Sequence, residues 1–186
     1  MAKVSASLRP GLYPTPVVMV TCIAANGKPN IVTLAWVGVV CSEPPMIGIA
    51  VRPSRYSNPA IKAAGEFVVN IPSQDQLWAT DYCGNNSGRD VDKFPGAKLT
   101  PVKADEVQPP LIGECPVNLE CVVRHTLHLG THDLFLGEVV AVHVEESCLD
   151  EQGVWDFAKM KPLSYCQGQY WNLGQMLGKG GLSKHG

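Results

Sequence analysis

The stretch that most constrains the fold runs Asn30-Ile31-Val32-Thr33-Leu34-Ala35-Trp36-Val37-Gly38-Val39-Val40-Cys41-Ser42-Glu43-Pro44-Pro45-Met46-Ile47-Gly48-Ile49-Ala50-Val51-Arg52. It reads as two β-strands joined by a polar, proline-stiffened turn, because β-branched residues suit a pleated surface and proline offers the ladder no donor. Residues 31–40 form the first of these strands. Residues 46–51, almost uncharged, form a strand for the interior of a sheet. Upstream, Val17-Val18-Met19-Val20-Thr21-Cys22-Ile23-Ala24-Ala25 is β-rich and followed by Asn26-Gly27, a pair suited to a tight hairpin turn. It therefore pairs antiparallel with 31–40.

Beyond Arg52, Ser57-Asn58-Pro59-Ala60-Ile61-Lys62-Ala63-Ala64-Gly65 reads as a short helix, with Ser57 or Asn58 as cap, proline in the first turn and glycine at the end. Residues 66–71 make a fourth strand. Residues 74–83 read as a helix carrying Leu77 and Trp78 toward the core, and Gly84-Asn85-Asn86-Ser87-Gly88-Arg89-Asp90 breaks regular structure. The proline- and charge-rich segment 98–110 reads as a surface excursion. Residues 117–129 and 133–146 form two further strands around Gly130-Thr131-His132. Strands recurring with turns between them favour a closed or split barrel over a parallel sheet.

A chain of 186 residues has a length prior of one domain, here 1–186, with a core over about 12–174 and a glycine-rich tail, 175–186, that frays or packs on a partner. With 45% hydrophobic and 17% charged residues it is a globular chain. No uncharged apolar run approaches the roughly 18 to 20 residues of a spanning helix. A net charge of −2 gives no basic field to recruit nucleic acid or a membrane surface. The first ten residues lack the apolar stretch of an export signal, so the expected location is the cytoplasm. Seven cysteines, an odd count with no Cys-x-x-Cys, argue against a disulfide framework or a zinc ribbon. They read as reduced, mostly buried thiols, and no metal site is expected.

Two clusters carry chemistry. Thr33 and Trp36 on one strand, with Cys41 and Ser42 at the next turn, can surround one ligand ring; the alternative is an ordinary core strand. Arg52-Pro53-Ser54-Arg55-Tyr56-Ser57-Asn58 gathers two guanidinium groups, three hydroxyls and a helix N-terminus. A phosphate wants those donors, since guanidinium forks pair bidentately with its oxygens and helix-start amides carry partial positive charge. The alternative there is a solvated strand-to-helix loop. Taken together, the clusters suit a flat, partly apolar, anionic ligand such as a flavin. Cys41 has no resolving cysteine or flanking base and reads as a small hydrophobe rather than a redox thiol. Neither a Gly-x-Ser-x-Gly elbow nor a P-loop is present.

Five segments, Asn30-Ile31-Val32-Thr33-Leu34-Ala35-Trp36, Glu43-Pro44-Pro45, Gly65-Glu66-Phe67-Val68-Val69-Asn70-Ile71, Ser87-Gly88-Arg89-Asp90-Val91-Asp92-Lys93-Phe94 and His132-Asp133-Leu134-Phe135-Leu136-Gly137-Glu138-Val139, occur in the order of the flavin reductase-like family. Over about residues 12–174 the chain resembles that family, most closely its flavoredoxin and ferric reductase branch. The resemblance implies a mainly β, FMN-binding split β-barrel of Greek-key type with a few short helices, forming a homodimer with flavin near the subunit interface. It implies that Thr33, Leu34, Ala35 and Trp36 line the isoalloxazine, with Cys41 and Ser42 near its polar edge, and that Asn30 also contacts the cofactor. Arg52, Ser54, Arg55, Tyr56 and Ser57 are then candidates for the phosphate and ribityl chain. Ser87, Arg89 and Lys93 join them from a second cationic loop; the alternative is that Arg89 and Lys93 pair with Asp90 and Asp92 on the surface. His132 falls where such reductases carry a histidine associated with the nicotinamide site. The implied function is an FMN-dependent oxidoreductase or electron carrier. Electrons pass from NAD(P)H or a redox partner protein through FMN to free flavin, ferric iron or another acceptor. The competing readings are a non-catalytic FMN-binding or storage module, or a barrel for another aromatic anion.

Overall fold

The computed structural model describes residues 1–181 and 183. Of the glycine-rich tail, residues 182 and 184–186, Gly186 among them, lie outside the described residues, and residues 173–179 run exposed without regular structure. The fold is mainly β. Strands β1 (Thr15–Pro16), β2 (Val18–Ile23), β3 (Pro29–Leu34), β4 (Val37–Ser42) and β5 (Pro45–Val51) lead into helix α1 (Ser57–Ala64). Then come β6 (Glu66–Ile71), α2 (Leu77–Asn85), α3 (Lys93–Ala97), β7 (Pro101–Val102), β8 (Leu111–Ile112), β9 (Val117–Leu129) and β10 (His132–Val144). A short helix α4 (Phe157–Met160) precedes the hairpin β11 (Leu163–Cys166) and β12 (Gln169–Asn172).

Seven strands form one antiparallel sheet in the order β3-β2-β6-β9-β10-β5-β4. The two strands at its edges, β3 and β4, are neighbours in sequence, joined only through Ala35 and Trp36. At that corner the Trp36 carbonyl accepts the Ala50 amide at 2.9 Å, drawing the sheet's ends together into a barrel. The expected single strand 31–40 is therefore two. Leu34 still pairs with Val18 of β2, whereas Val37 pairs with Ile49 of β5. Both halves are apolar, so hydrophobic pattern alone cannot mark the switch.

β2 is buried on both faces, which explains an apolar run interrupted only by Thr21, whose hydroxyl donates to the Pro110 carbonyl at 2.6 Å. Val18, Val20 and Cys22 face the barrel interior with Ile49, Phe67, Val69 and Phe135. Met19 points the other way, into a layer shared with Ile31, Ala79, Cys83 and Phe94, where α2 and α3 cover the sheet. Gly137 allows close packing within the barrel, because a Cβ there would run into the ring of fully buried Phe67.

Four further expectations change. Tyr56, not Ser57 or Asn58, caps α1; the Ser57 and Asn58 side chains are taken up in tertiary hydrogen bonds to Asn30, Val51 and Asp133. Gly65 does end that helix, at φ 70, donating to the Ile61 carbonyl. Leu77 and Trp78 face outward, at 41% and 61% exposure, while Ala79, Thr80 and Cys83 form the inner face of α2. The helix lies so near β3 that a Cβ on Gly84 would meet Thr33 Cβ at 3.3 Å, leaving no room for large inward side chains. Segment 98–110 is no free excursion: Ala104 and Val107 pack on Val68, and the amides of Asp105, Glu106 and Val107 bind the Glu120 carboxylate. Finally, His132 is the first residue of β10 rather than part of the turn, and the strand stops at Val144. All seven cysteines are free, five of them buried. Among the described residues, no helix is long and apolar enough to cross a membrane.

Candidate functional site

Where β3 bends into β4, the barrel corner opens into a cleft of about 510 Å³. One wall is the corner itself, with Thr33, Leu34, Ala35 and Trp36; Arg52, Arg55 and His132 border it, as do Asp81, Gly84 and Asn85 of α2. Tyr165, Gly168 and Tyr170 of the C-terminal hairpin, with Tyr13, close the far side. A smaller pocket of about 130 Å³ adjoins it, sharing Val32, Arg55 and Gly84. Asn30, Ser54, Tyr56, Ser57, Ser87, Arg89 and Lys93 line this second space. The cleft is broad and aromatic-walled, and the pocket at its end is narrow and cationic.

The local sequence explains the placement. Alternation along β3 sends Ile31 into the layer under α2 and α3 and Val32 into the barrel core. Thr33 Oγ1 donates to the Thr80 carbonyl at 2.6 Å, tying β3 to α2 at the cleft edge. Beyond β5 the chain turns through Arg52–Ser54, where the Arg55 amide donates to the Arg52 carbonyl at 2.9 Å, and enters α1 with its N-terminus open to the small pocket. Asn30 Nδ2 donates to Ser57 Oγ at 2.7 Å, which leaves the serine hydroxyl proton free for another acceptor.

Lys93 dominates the electrostatics of the pocket. It is only 5% exposed, and its Nζ donates to the carbonyls of Ile31 at 2.6 Å and Cys83 at 2.7 Å. Among the described residues no carboxylate pairs with it. Burial pulls its ammonium below the usual lysine range; the nearby Cys83 and Cys22 thiols oppose that shift and the Arg55 guanidinium adds to it. Arg89 donates to the Ser54 carbonyl at 3.4 Å and lies over the Tyr56 ring, 5.6 Å from its centroid. The surface pairs with Asp90 and Asp92 do not form, and Asp92 instead caps α3 by accepting the Phe94 amide. Gly88 holds this loop in place, since any Cβ there would collide with the Asn30 side chain and the Tyr56 ring.

At the other end of the cleft, the His132 ring packs against Trp36 with centroids 4.5 Å apart. Its Nδ1 lies 3.0 Å from Thr131 Oγ1, so Nε2 is the nitrogen left for a ligand. Burial, with the Arg52 guanidinium as a second cause, pulls its pKa below the ordinary histidine value. Arg52 thus serves the His132 end, whereas Arg55 borders both spaces.

Cys41 and Ser42 are not brought to the cleft. They sit at the far end of β4, paired with Met46 and Pro45, and the Cys41 thiol donates to the Glu43 carbonyl at 3.3 Å. Reaching the ring edge from there would require β4 to fold back toward the corner it leaves. Sequence reasoning missed Asp81, Asn85, Tyr165, Gly168 and Tyr170. Asp81 and Asn85 stand one helical turn apart around Gly84, and Tyr165-Cys166-Gln167-Gly168-Gln169-Tyr170 carries the glycine-centred alternation of a hairpin. Those were the available signals.

The donor set fits a ligand with a flat ring and an anionic tail, and comparison with known proteins agrees. The family described as "Flavin reductase like domain" matches residues 10–174. The flavoredoxin of Desulfovibrio vulgaris (Miyazaki F) superposes with a TM-score of 0.92 at 34% identity, over 98% of this chain and 100% of that one. A flavoredoxin from Methanosarcina acetivorans gives 0.91 at 35% identity, over 98% and 97%. A Shewanella frigidimarina protein with a split barrel domain gives 0.81 at 19% identity, over 89% and 85%, and matches in fold.

Proposed function

The chain belongs to the flavin reductase-like family, and from that premise we propose that it holds FMN in this cleft and works as an oxidoreductase or electron carrier. The observation that carries the reading is Lys93: a buried ammonium with no counter-anion among the described residues, at the edge of a cationic pocket that opens into an aromatic-walled cleft. Buried charges are normally paired, and a phosphate would supply the missing partner. Flavin held there would supply a two-electron redox centre, the chemistry that hydride transfer from a nicotinamide needs. Arg55, Lys93 and Arg89, with Ser54, Ser57 and Ser87, hold the phosphate, and the N-terminus of α1 adds its partial charge. Thr33, Leu34, Ala35 and Trp36 flank the ring.

His132 orients the hydride donor. Its lowered pKa keeps the imidazole neutral near pH 7, so Nε2 meets the carboxamide of a nicotinamide without adding a charge beside Arg52. NAD(P)H or a redox protein supplies the electrons, and free flavin, ferric iron or another acceptor takes them. The working unit is a homodimer, to be checked by light scattering. To test the function, the protein is titrated with FMN and then treated anaerobically with NADH or NADPH. Quenching of flavin fluorescence followed by bleaching of its absorbance is the expected result. No quenching would remove the flavin reading, and quenching without bleaching by either nucleotide would leave a carrier or storage module.

A further inference from the structure

Building on the reading of the cleft as a flavin site, we propose that the hydrogen bond from Tyr170 to Asp81 is a latch: it holds the C-terminal hairpin across the cleft and sets how long the flavin stays bound. Tyr170 Oη lies 3.2 Å from Asp81 Oδ1, bridging β12 and α2. Both residues, with Tyr165 and Gly168 of the same hairpin, border the cleft.

The hairpin is anchored at one end only. At its base, the Val17 amide donates to the Leu163 carbonyl at 3.3 Å, the Gln74 amide donates to the Lys161 carbonyl at 2.9 Å, and Pro162 bridges to Ser73. Leu163 is buried and β1 pairs with β11 through Thr15 and Tyr165. The tip, by contrast, is a turn at Gln167 and Gly168, with φ values of 46 and 89, and it lies exposed. β12 is the outer strand of its three-stranded sheet and pairs with β11 alone. Among the described residues, no hydrogen bond joins β12 to anything outside the hairpin except Tyr170 to Asp81.

β1 supports β11, but β12 and the turn have β11 alone to hold them, and an outer strand of this kind opens locally at small free energy unless something fixes its free side. The edge-on contact of the Tyr165 and Tyr170 rings, 5.7 Å between centroids, holds the phenol toward α2. Burial, with the Asp81 carboxylate beside it, pushes the Tyr170 pKa up to about 12, so the hydroxyl remains a donor at any physiological pH. A closed latch would make the flavin a resident group. An open one would make it an exchanging substrate.

The test loads the full-length protein with FMN and follows release after rapid dilution by the recovery of free-flavin fluorescence. Tyr170→Phe keeps the ring and removes the donor, and is expected to speed release about five- to tenfold while the association rate stays within about twofold. Asp81→Ala should match it, and the double variant should release no faster than either single one, because both remove the same bond. Asp81→Asn keeps an oxygen acceptor and should stay within about twofold of the parent. Release from Tyr170→Phe at the parent rate, single effects that multiply in the double variant, or Asp81→Asn as fast as Asp81→Ala would each overturn the latch. Failure of the parent protein to take up FMN would overturn the latch and the flavin reading together.

Discussion

Two buried charges, Glu120 and Lys93, have opposite surroundings. Glu120 on β9 is fully buried, and its carboxylate accepts the amides of Asp105 at 2.9 Å, Glu106 at 2.7 Å and Val107 at 3.1 Å, with His143 Nε2 at 2.7 Å. Burial would raise its pKa, yet these donors outweigh that and hold it below the usual carboxylate range. Lys93 has two neutral carbonyls and, among the described residues, no anion. The first charge is satisfied from within the chain and pins a loop to the barrel. The second opens on a pocket, and what would complete it must come from outside. Asp105, Glu120 and His143 do place ligand-type atoms within 4.8 Å of one another. Both Glu120 oxygens already accept amide hydrogen bonds, however, and Oε1 also meets His143 Nε2, so the carboxylate is satisfied without a cation.

The contrast is broken most severely at Glu120. Glu120→Ala leaves three amides unsatisfied beneath segment 103–111 and is expected to lower unfolding free energy by roughly 3–5 kcal/mol in urea titrations. The sign with pH follows from the depressed pKa. The carboxylate's contribution is full above its ordinary value of 4.5 and is lost as pH falls through the lower folded value. Lys93→Met should act in the reverse direction. Removing an uncompensated buried ammonium leaves the ligand-free fold as stable or more so, while FMN affinity falls roughly ten- to a hundredfold, the worth of one charge-assisted hydrogen bond. An unfolded lysine keeps its proton to about its ordinary 10.5, above the buried group's value. At this site the unfolded chain therefore binds more protons in that window, so the stability of the parent relative to Lys93→Met rises with pH there, whatever the buried thiols common to both contribute. Unchanged FMN affinity in that variant would make Lys93 a structural charge like Glu120.

Gly88→Ala sharpens the comparison with a smaller change and no change of charge. The added methyl meets Asn30 and Tyr56, so the loop carrying Ser87 and Arg89 must shift while Lys93 on α3 stays put. FMN affinity is expected to fall about three- to tenfold, with a stability loss of about 1–3 kcal/mol in the same urea titration. A stability loss as large as that of Glu120→Ala would show that the loop is part of the core.

How much of this was legible in the sequence differs by element. The strands 17–25, 46–51 and 66–71 were readable from their β-branched runs, and Asn26-Gly27 from its turn chemistry. The break at Ala35-Trp36 was hidden because both halves are apolar and only long-range pairing separates them. For the site, Arg55, Arg89 and Lys93 were readable as cations near hydroxyls. Which of them is buried, and that Asp90 and Asp92 leave them alone, depends on how α3 packs beneath β3. Cys41 and Ser42 were misplaced for the same reason as the strand break: continuing one straight strand carries them past the ring, whereas the corner turns them away. Asp81 and Tyr170 lie 89 residues apart in sequence, and nothing local connects them.

The smallest effect expected separates the two arginines. Arg52 and Arg55 look equivalent in sequence, but Arg55 borders the pocket shared with Lys93, while Arg52 stands beside His132. Arg52→Ala should leave FMN affinity within about threefold, since Arg52 is exposed to solvent and does not line the pocket proposed for the phosphate. Its effect should appear in the pH dependence of reduction by nicotinamide. Burial is the larger cause of the low His132 pKa and remains; the guanidinium is the second, and removing it lets the pKa rise part of the way back toward 6.5. If neutral His132 orients the donor, the rate falls as pH drops through that value, so the midpoint of the fall moves to higher pH in Arg52→Ala. His132→Ala should abolish the limb altogether. An unmoved midpoint, together with a large loss of FMN affinity, would put Arg52 with Lys93 at the phosphate and leave His132 without an electrostatic neighbour of its own.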